Sequence, residues 1–330
     1  MAAPFYAGIK GSSSGTAGTG AFTPTTAPSG YRAWSNVPTG WIGLVRYEDG
    51  TAWELTYSYW NGTTLSRAST QVVESSTGSQ LTLTSAAFAG MVLDPREVQP
   101  HIGGTAWRGY SVIINSTSGV VLNAAAFTVT GTAAAAALAT TNYMTEQARL
   151  QVNSATTASA QAGLSTTTAF AVYSTTAGRG GFEFVVRFGA AQLPTGPRLF
   201  AGLTSSTMVG SSEPSAVVAS VAAFGKDSTD TNIQLLVNSN SGGGTKTDTG
   251  IALVATGWYE ATVWAEPGGG TIYGLLIRLD TGAIWFGSTT TDIPANGALL
   301  FPQLLGGLNA TNTGTAFQLT TGTLLVRTGT

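Results

Sequence analysis

The feature that most constrains this chain is the way its apolar residues are broken up. Runs of strand length are interrupted at short intervals by Gly, Asn, Asp or Pro, from Tyr6 to about Pro95 and again from Ala169 onward. Short runs bounded by turn residues suit strands joined by tight turns, and they are too short for long amphipathic helices. The polar positions point the same way. Only 9% of the 330 residues are charged, against roughly 25% in an average soluble protein, so the surface must be built from Thr, Ser, Asn and Gly. Thr is β-branched and Gly supplies the positive φ that turns need. All-β is therefore the expected fold class.

In the first region, residues 1–96, Trp53, Leu55, Tyr57 and Tyr59 alternate with Glu54, Thr56, Ser58 and Trp60, giving a strand with one aromatic and one mostly polar face. Asn61–Gly62 reads as a hairpin turn into residues 63–67. A small β-sandwich or barrel is expected. Residues 97–132 hold two more strand-like runs, 110–115 and 120–129, read as a β extension of that domain or a small domain of its own.

Residues 133–152 run on without Gly or Pro and begin in alanines, the best helix formers, so a short Ala-rich helix is expected there, with a polar linker to residue 168. Ala137, Thr141, Met144, Ala148 and Gln151 share one side of such a helix. This seam of small residues suits a parallel bundle between subunits, a dock onto a neighbouring sheet, or a plain connector. Residues 169–330 then offer strands at 181–189, 198–204, 216–224, 232–238, 258–266, 271–279, 283–287, 299–306 and 317–327, a two-sheet jelly roll. Phe182, Phe184, Val186 and Phe188 are expected in its core, as are Tyr273, Leu275, Ile277 and Leu279.

Charge and cysteine narrow the function classes. Fourteen basic and sixteen acidic residues are scattered and leave a net charge of −2, with no basic footprint for nucleic acid or anionic lipid. No cysteine is present, so disulfides and thiolate metal sites are excluded. The opening MAAPFYAGIKGSSSGTAGTG lacks a basic start before an apolar core and is not expected to act as a secretory signal. No run approaches the roughly 20 apolar residues of a membrane span, so no membrane insertion is expected. So few charges suggest a surface that packs on copies of itself, a homo-oligomer.

Several stretches carry a resemblance. GTGAF, GYRAW, EDGTAWEL and TTLSRAS, within residues 18–69, resemble the small N-terminal β domain of phage and prophage tail-fibre and related virion proteins. LATTNYMTEQARLQV, GGFEFVVRFG, RLFAGLTSS and GKDSTDTNIQLLVNSNSGGGTKTDTG resemble the helix and jelly-roll portion of the same kind of protein. The resemblance implies a structural virion protein, a trimeric tail appendage made in a bacterial cytoplasm and docked on other virion proteins through its N-terminal domain. Head-fibre, collar and capsid-decoration roles are the alternative it leaves open. It implies no catalytic residue and no cofactor.

Three groups of residues invite a chemical reading. Trp258, Glu260, Thr262, Trp264 and Glu266 alternate onto one strand face, aromatic and acidic, which suits a host-surface glycan or a sister subunit. Six residues of strand place Glu260 and Glu266 roughly 20 Å apart, whereas glycosidase carboxylates stand within ~10 Å, so this pair is not catalytic and no enzyme is expected. Asp227, Asp230 and Asn232 bring three oxygen side chains together as a calcium candidate, although the EF-hand spacing is missing and such stretches also form turns on their own backbone. His101 is the single histidine, which excludes a multi-histidine metal site. The runs Gly242–Gly244 and Gly268–Gly270 lack phosphate-loop spacing and read as hairpin tips.

Overall fold

The computed structural model describes residues 9–13, 18–92, 127–166, 168–208 and 212–329, with the backbone course of 107–113. His101 and the expected turn at 116–119 lie outside the described residues. The chain is all-β, with antiparallel sheets among the described residues. It divides into two compact units, Met1–Gly104 with Gly282–Gly287, and Thr105–Thr281 with Ser288–Thr330.

The first unit holds β1 (Lys10–Ser12), β2 (Ile42–Asp49), β3 (Ala52–Tyr59), β4 (Val72–Ser75) and β5 (Phe88–Met91) in one sheet of order β1-β5-β2-β3-β4. The edges β1 and β4 do not meet. The expected sandwich or barrel is thus a single open sheet among the described residues, covered on its inner face by irregular chain. Gly50, at φ 64°, provides the two-residue β2–β3 connection with its positive torsion. Trp34, Val45, Tyr47, Trp60 and Leu65 form the core, and the two indole N–H groups are satisfied by the carbonyls of Ala89 and Val37. The face of β3 that looks polar in sequence is the buried one: Glu54, Thr56 and Ser58 are fully covered.

The second unit comprises β6 (Trp107–Ile113), β7 (Thr128–Thr130), β8 (Thr132–Ala134), β9 (Leu150–Asn153), β10 (Gln161–Ser165), β11 (Ala171–Val172), β12 (Phe182–Gln192), β13 (Arg198–Thr204), β14 (Ser220–Lys226), β15 (Asn232–Ser239), β16 (Thr245–Ala252), β17 (Trp258–Ala265), β18 (Ile272–Arg278), the end of β19 (Ala283–Thr289), whose residues up to Gly287 group with the first unit, β20 (Leu299–Gly307) and β21 (Gln318–Gly329). They form two eight-stranded sheets. Sheet A runs β16-β15-β14-β13-β20-β10-β7 with β11 on β20; sheet B runs β19-β18-β17-β12-β21-β9-β8 with β6 on β21. β14 faces β17 and β18 across the sandwich, and β12 faces β13.

Phe182, Phe184, Val186 and Phe188 are completely buried and continue in register into Ala265, Val263, Ala261 and Tyr259. On β18 the inner residues are Ile272 and Leu276, since Leu276 pairs with Ala261. Leu275 and Ile277 are buried on the opposite face and Tyr273 is half-buried, while Leu279 lies beyond the strand. With both faces apolar, alternation alone could not choose the inward one.

The expected helix over 133–152 does not form. The segment opens as β8, closes as β9, and between them holds only one 3-10 turn, Tyr143–Glu146, capped by Asn142. Burial along β9 alternates with a period of two, Leu150 and Val152 inward, and pairing with β21 fixes that register. Arg149 donates to the carbonyls of Ala137, Thr145 and Gln147, groups that a helix would have used internally. Alanine's advantage of a few tenths of a kcal/mol per residue is outweighed by burial of these apolar side chains at about 25 cal/mol per Å². The seam Ala137, Thr141, Met144 and Ala148 is accordingly absent: Met144 is buried, and the other three are exposed at separate places.

Candidate functional site

β17 turns Tyr259, Ala261, Val263 and Ala265 into the sandwich, so Trp258, Glu260, Thr262 and Trp264 stand on the outer face of sheet B. They do not form one open platform. Trp258 is 1% exposed and its ring lies over Gly189 and Gly322. A Cβ at Gly189 would come within 2.9 Å of that ring and 3.2 Å of the Met144 sulfur, so only glycine leaves room there. Trp264 is half-buried and stacks on its register partner Tyr273, with centroids 5.2 Å apart and planes 16° from parallel. Glu260 accepts from Arg187 Nε at 2.6 Å, again a register pair. Glu266 is exposed in the β17–β18 connection that also holds Gly268–Gly270. Arg187 and Tyr273 escape a reading of β17 alone, because cross-strand register brings them in.

The calcium candidates are arranged around an ammonium. The Asp227 carboxylate accepts from Ser215 N (3.0 Å) and from Lys246 Nζ (2.7 Å), and Asp230 accepts from the same Nζ at 2.7 and 2.9 Å. Asn232 is directed elsewhere, donating to Asp248 at 3.2 Å. Among the described residues no group of three His, Cys, Asp or Glu could hold a metal ion. Hydrogen bonds to the two aspartates raise the Lys246 ammonium above its usual range, against the opposing effect of burial. Nearby, burial pushes Lys226 down. Glu213 is drawn below the usual carboxylate range by hydrogen bonds from Arg198 and Ser228 that outweigh its burial.

The connection from β13 to β14 carries Met208, Ser212, Glu213 and Ser215 over the outer face of sheet A. Between it and the sheet, beside Gln161, Arg198 and Phe200, lies a space of about 20 Å³, room for about one water molecule rather than a ligand.

In the first unit the inner face of β3 centres on an ion pair. Arg67 donates through Nε to Glu54 Oε1 at 2.5 Å and through Nη2 to Oε2 at 2.8 Å, with both side chains fully buried. The guanidinium also reaches the carbonyls of Gly18 and Leu81, and Glu54 accepts from Leu81 N (2.7 Å) and the Thr56 hydroxyl (2.8 Å). Tyr47 lies under the guanidinium at 5.4 Å and shares a 2.8 Å hydrogen bond with Ser58. Burial pushes its phenol far above the ordinary value. Glu54 lies in EDGTAWEL and Arg67 in TTLSRAS, so two of the stretches behind the phage resemblance are joined by this bond.

Comparison with protein-family models and with curated sequences gives no match. Among solved structures, the chain is similar to peanut lectin with a nine-residue peptide, at TM-score 0.46 and 13% identity over 67% of this chain and 97% of that one. A protein of unknown function from Shewanella oneidensis MR-1 gives 0.44 and 14% over 73% and 96%. Basic winged bean lectin with Tn-antigen gives 0.44 and 11% over 67% and 98%. Likenesses of this size carry no argument about what the chain binds.

Proposed function

We propose that this chain is a non-enzymatic structural protein of a bacteriophage particle, a tail-fibre or tail-appendage subunit that contributes to host-surface recognition. Its support is the set of sequence stretches that resemble virion appendage proteins, together with the lack of cysteine and the sparse charge. The observation that carries the reading is where those stretches lie. EDGTAWEL and TTLSRAS supply the Glu54–Arg67 bond of the first unit. GGFEFVVRFG and RLFAGLTSS supply β12 and β13, interior strands of the two sheets of the second. The resemblance thus rests on residues that build both folds.

Glu266 is exposed beyond β17, and the other carboxylates considered for chemistry are held by cations: Glu260 by Arg187, Asp227 and Asp230 by Lys246. Bonded in this way, they serve as fixed acceptors rather than as acids or bases. The outer face of sheet B, with Trp264, Tyr273 and the Arg187–Glu260 pair, is the surface we assign to a host glycan or a sister subunit. Burial of Trp258 and stacking of Trp264 reduce the aromatic surface open to a sugar, which favours the sister subunit and keeps the head-fibre, collar or decoration role as a second reading.

Immunogold electron microscopy of intact particles, with antibody against the whole chain, tests the proposal. Gold on tail fibres or tip supports it, and gold on capsid or neck selects the second reading. Unlabelled particles overturn the virion assignment. The trimer is proposed from the resemblance and the low charge; light scattering that returned the monomer mass of 33.6 kDa at micromolar concentration would contradict it.

A further inference from the structure

The β13–β14 connection acts as a strap on sheet A. Met208 and Val217 lie on Phe200, Val221, Ala223, Leu236 and Leu305, apolar residues on the face of that sheet turned away from the sandwich. Polar bonds hold its described residues down at Met208, Glu213, Ser215 and Val217. Met208 N–H donates to Gln303 at 3.1 Å, and Glu213 accepts from Arg198 and from Ser228 N and Oγ, each at 2.7 Å. Ser215 donates through N and Oγ to Asp227 at 3.0 and 2.5 Å, and its carbonyl accepts from Gly244 N at 2.6 Å. The Val217 carbonyl accepts from Asn238 at 3.0 Å.

Asp227 is therefore the anchor of Ser215, and it stands beside a like charge, since Asp230 accepts from Asp227 N at 2.9 Å. Three acids, Glu213, Asp227 and Asp230, face three bases, Arg198, Lys226 and Lys246, so the local charge is 3 − 3 = 0. The bases are not equivalent. Lys226 is 4% exposed but donates only to the carbonyls of Pro197 and Asp227, at 3.2 Å each. Arg198 serves Glu213. Lys246 alone touches both aspartates, at 2.7, 2.7 and 2.9 Å. Three contacts match the three donors of a compact ammonium, a geometry that a planar guanidinium does not reproduce.

We infer that Lys246 is the built-in cation of this acidic corner: its ammonium bridges Asp227, the anchor of Ser215, to Asp230, and so locks the strap onto sheet A without a metal ion. The inference is independent of the virion reading. It makes the outer face of sheet A covered in any ionic medium, whether divalent ions are present or chelated. A chain that met changing calcium levels would keep this surface constant.

Hydrogen exchange of the full chain, in EDTA and in millimolar calcium, tests this. In the wild type, the amides of Met208, Ser215 and Gly244 should be equally protected in both media. In Lys246→Met, which keeps the apolar stem, those three amides should exchange faster in EDTA by on the order of tenfold, while amides of β12 and β17 keep their wild-type rates and report that the sandwich is folded. Wild-type protection that appears only with calcium overturns the inference, because the corner then works with a metal. Unchanged protection of the strap in Lys246→Met overturns it equally. The wild-type comparison stands without the variant, so the inference remains testable if Lys246→Met fails to fold.

Discussion

The two units handle charge in opposite ways. The first places a fully buried ion pair, Glu54–Arg67, inside its core beside Tyr47. The second keeps its interior apolar around Phe182, Phe184, Val186 and Phe188 and sets its charges on outer faces and margins, as at Lys246 and Arg187. The difference follows from how much apolar surface each unit can bury. One open sheet has a single inner face and needs irregular chain to cover it, and irregular chain brings carbonyls and N–H groups that must be satisfied. Arg67 and Glu54 satisfy those of Gly18 and Leu81. Two eight-stranded sheets cover each other's inner faces, and the second unit's own carbonyl-binding arginine, Arg149, serves the irregular chain of residues 137–147 instead of that core.

The sharpest way to break this contrast is to remove one partner of the buried pair. Arg67→Ala leaves Glu54 charged and uncompensated, and should destabilise the first unit by about 3–5 kcal/mol. Urea unfolding of the full chain, followed by tryptophan fluorescence, should show an earlier transition. The double variant Arg67→Met/Glu54→Leu removes both charges and should recover most of that loss, because apolar side chains of similar volume often replace a buried ion pair without net cost. A double variant as unstable as the single one would mean that the bonds to Gly18 and Leu81 carry the stability.

Phe184→Ala is the matching cut in the second unit. Loss of a fully buried phenylalanine should cost about 3–5 kcal/mol, from transfer and cavity together, with the transition of the first unit unmoved. If both units lost stability alike, the contrast between two independent cores would fail.

These cores also mark how far the sequence could be read. Strands β12, β13, β15 and β17 are legible because their runs are apolar and bounded by turn residues. β16 is not: Thr-Lys-Thr-Asp-Thr-Gly-Ile-Ala has almost no apolar alternation, because an edge strand with exposed faces needs none, and only its pairing with β15 makes it a strand. Residues 133–152 mislead for the converse reason, since local propensity favours a helix and the pairing with β21 overrides it. On β3, alternation separates an aromatic from a polar face without saying which is buried; Glu54 is covered because Arg67, 13 residues on, is buried against it. For the candidate face, spacing along β17 put Trp258, Glu260, Thr262 and Trp264 on one side, but Glu266 lies beyond the strand, and spacing could not supply Arg187 or Tyr273, nor the burial of Trp258, all of which depend on register with other strands.

Alkaline pH should separate the units less sharply. In the second, the Tyr259 phenol is pushed up to about 12 by burial while donating to Ala252 O and accepting from Val254 N. A raised folded-state value means that its contribution is complete below the unfolded value near 10 and is lost as pH rises through the folded one. Tyr47 in the first unit shifts the same way and further. Stability measured by urea unfolding should therefore be level up to about pH 10 and fall above it. Tyr259→Phe should flatten the part of that fall that belongs to the second unit.

The smallest effect belongs to the outer face of sheet B. Arg187 is 48% exposed and its partner Glu260 22%, so water screens the bond, and Arg187→Ala should change stability by no more than about 1 kcal/mol. That near-neutrality makes it a clean probe of the face as an interface. If sister subunits meet there, Arg187→Glu sets two acids side by side in each copy and should lower the oligomer mass seen by light scattering while the monomer remains folded. An unchanged oligomer would remove this face from the assembly and leave it to a host ligand, and the residue to replace next would be Trp264.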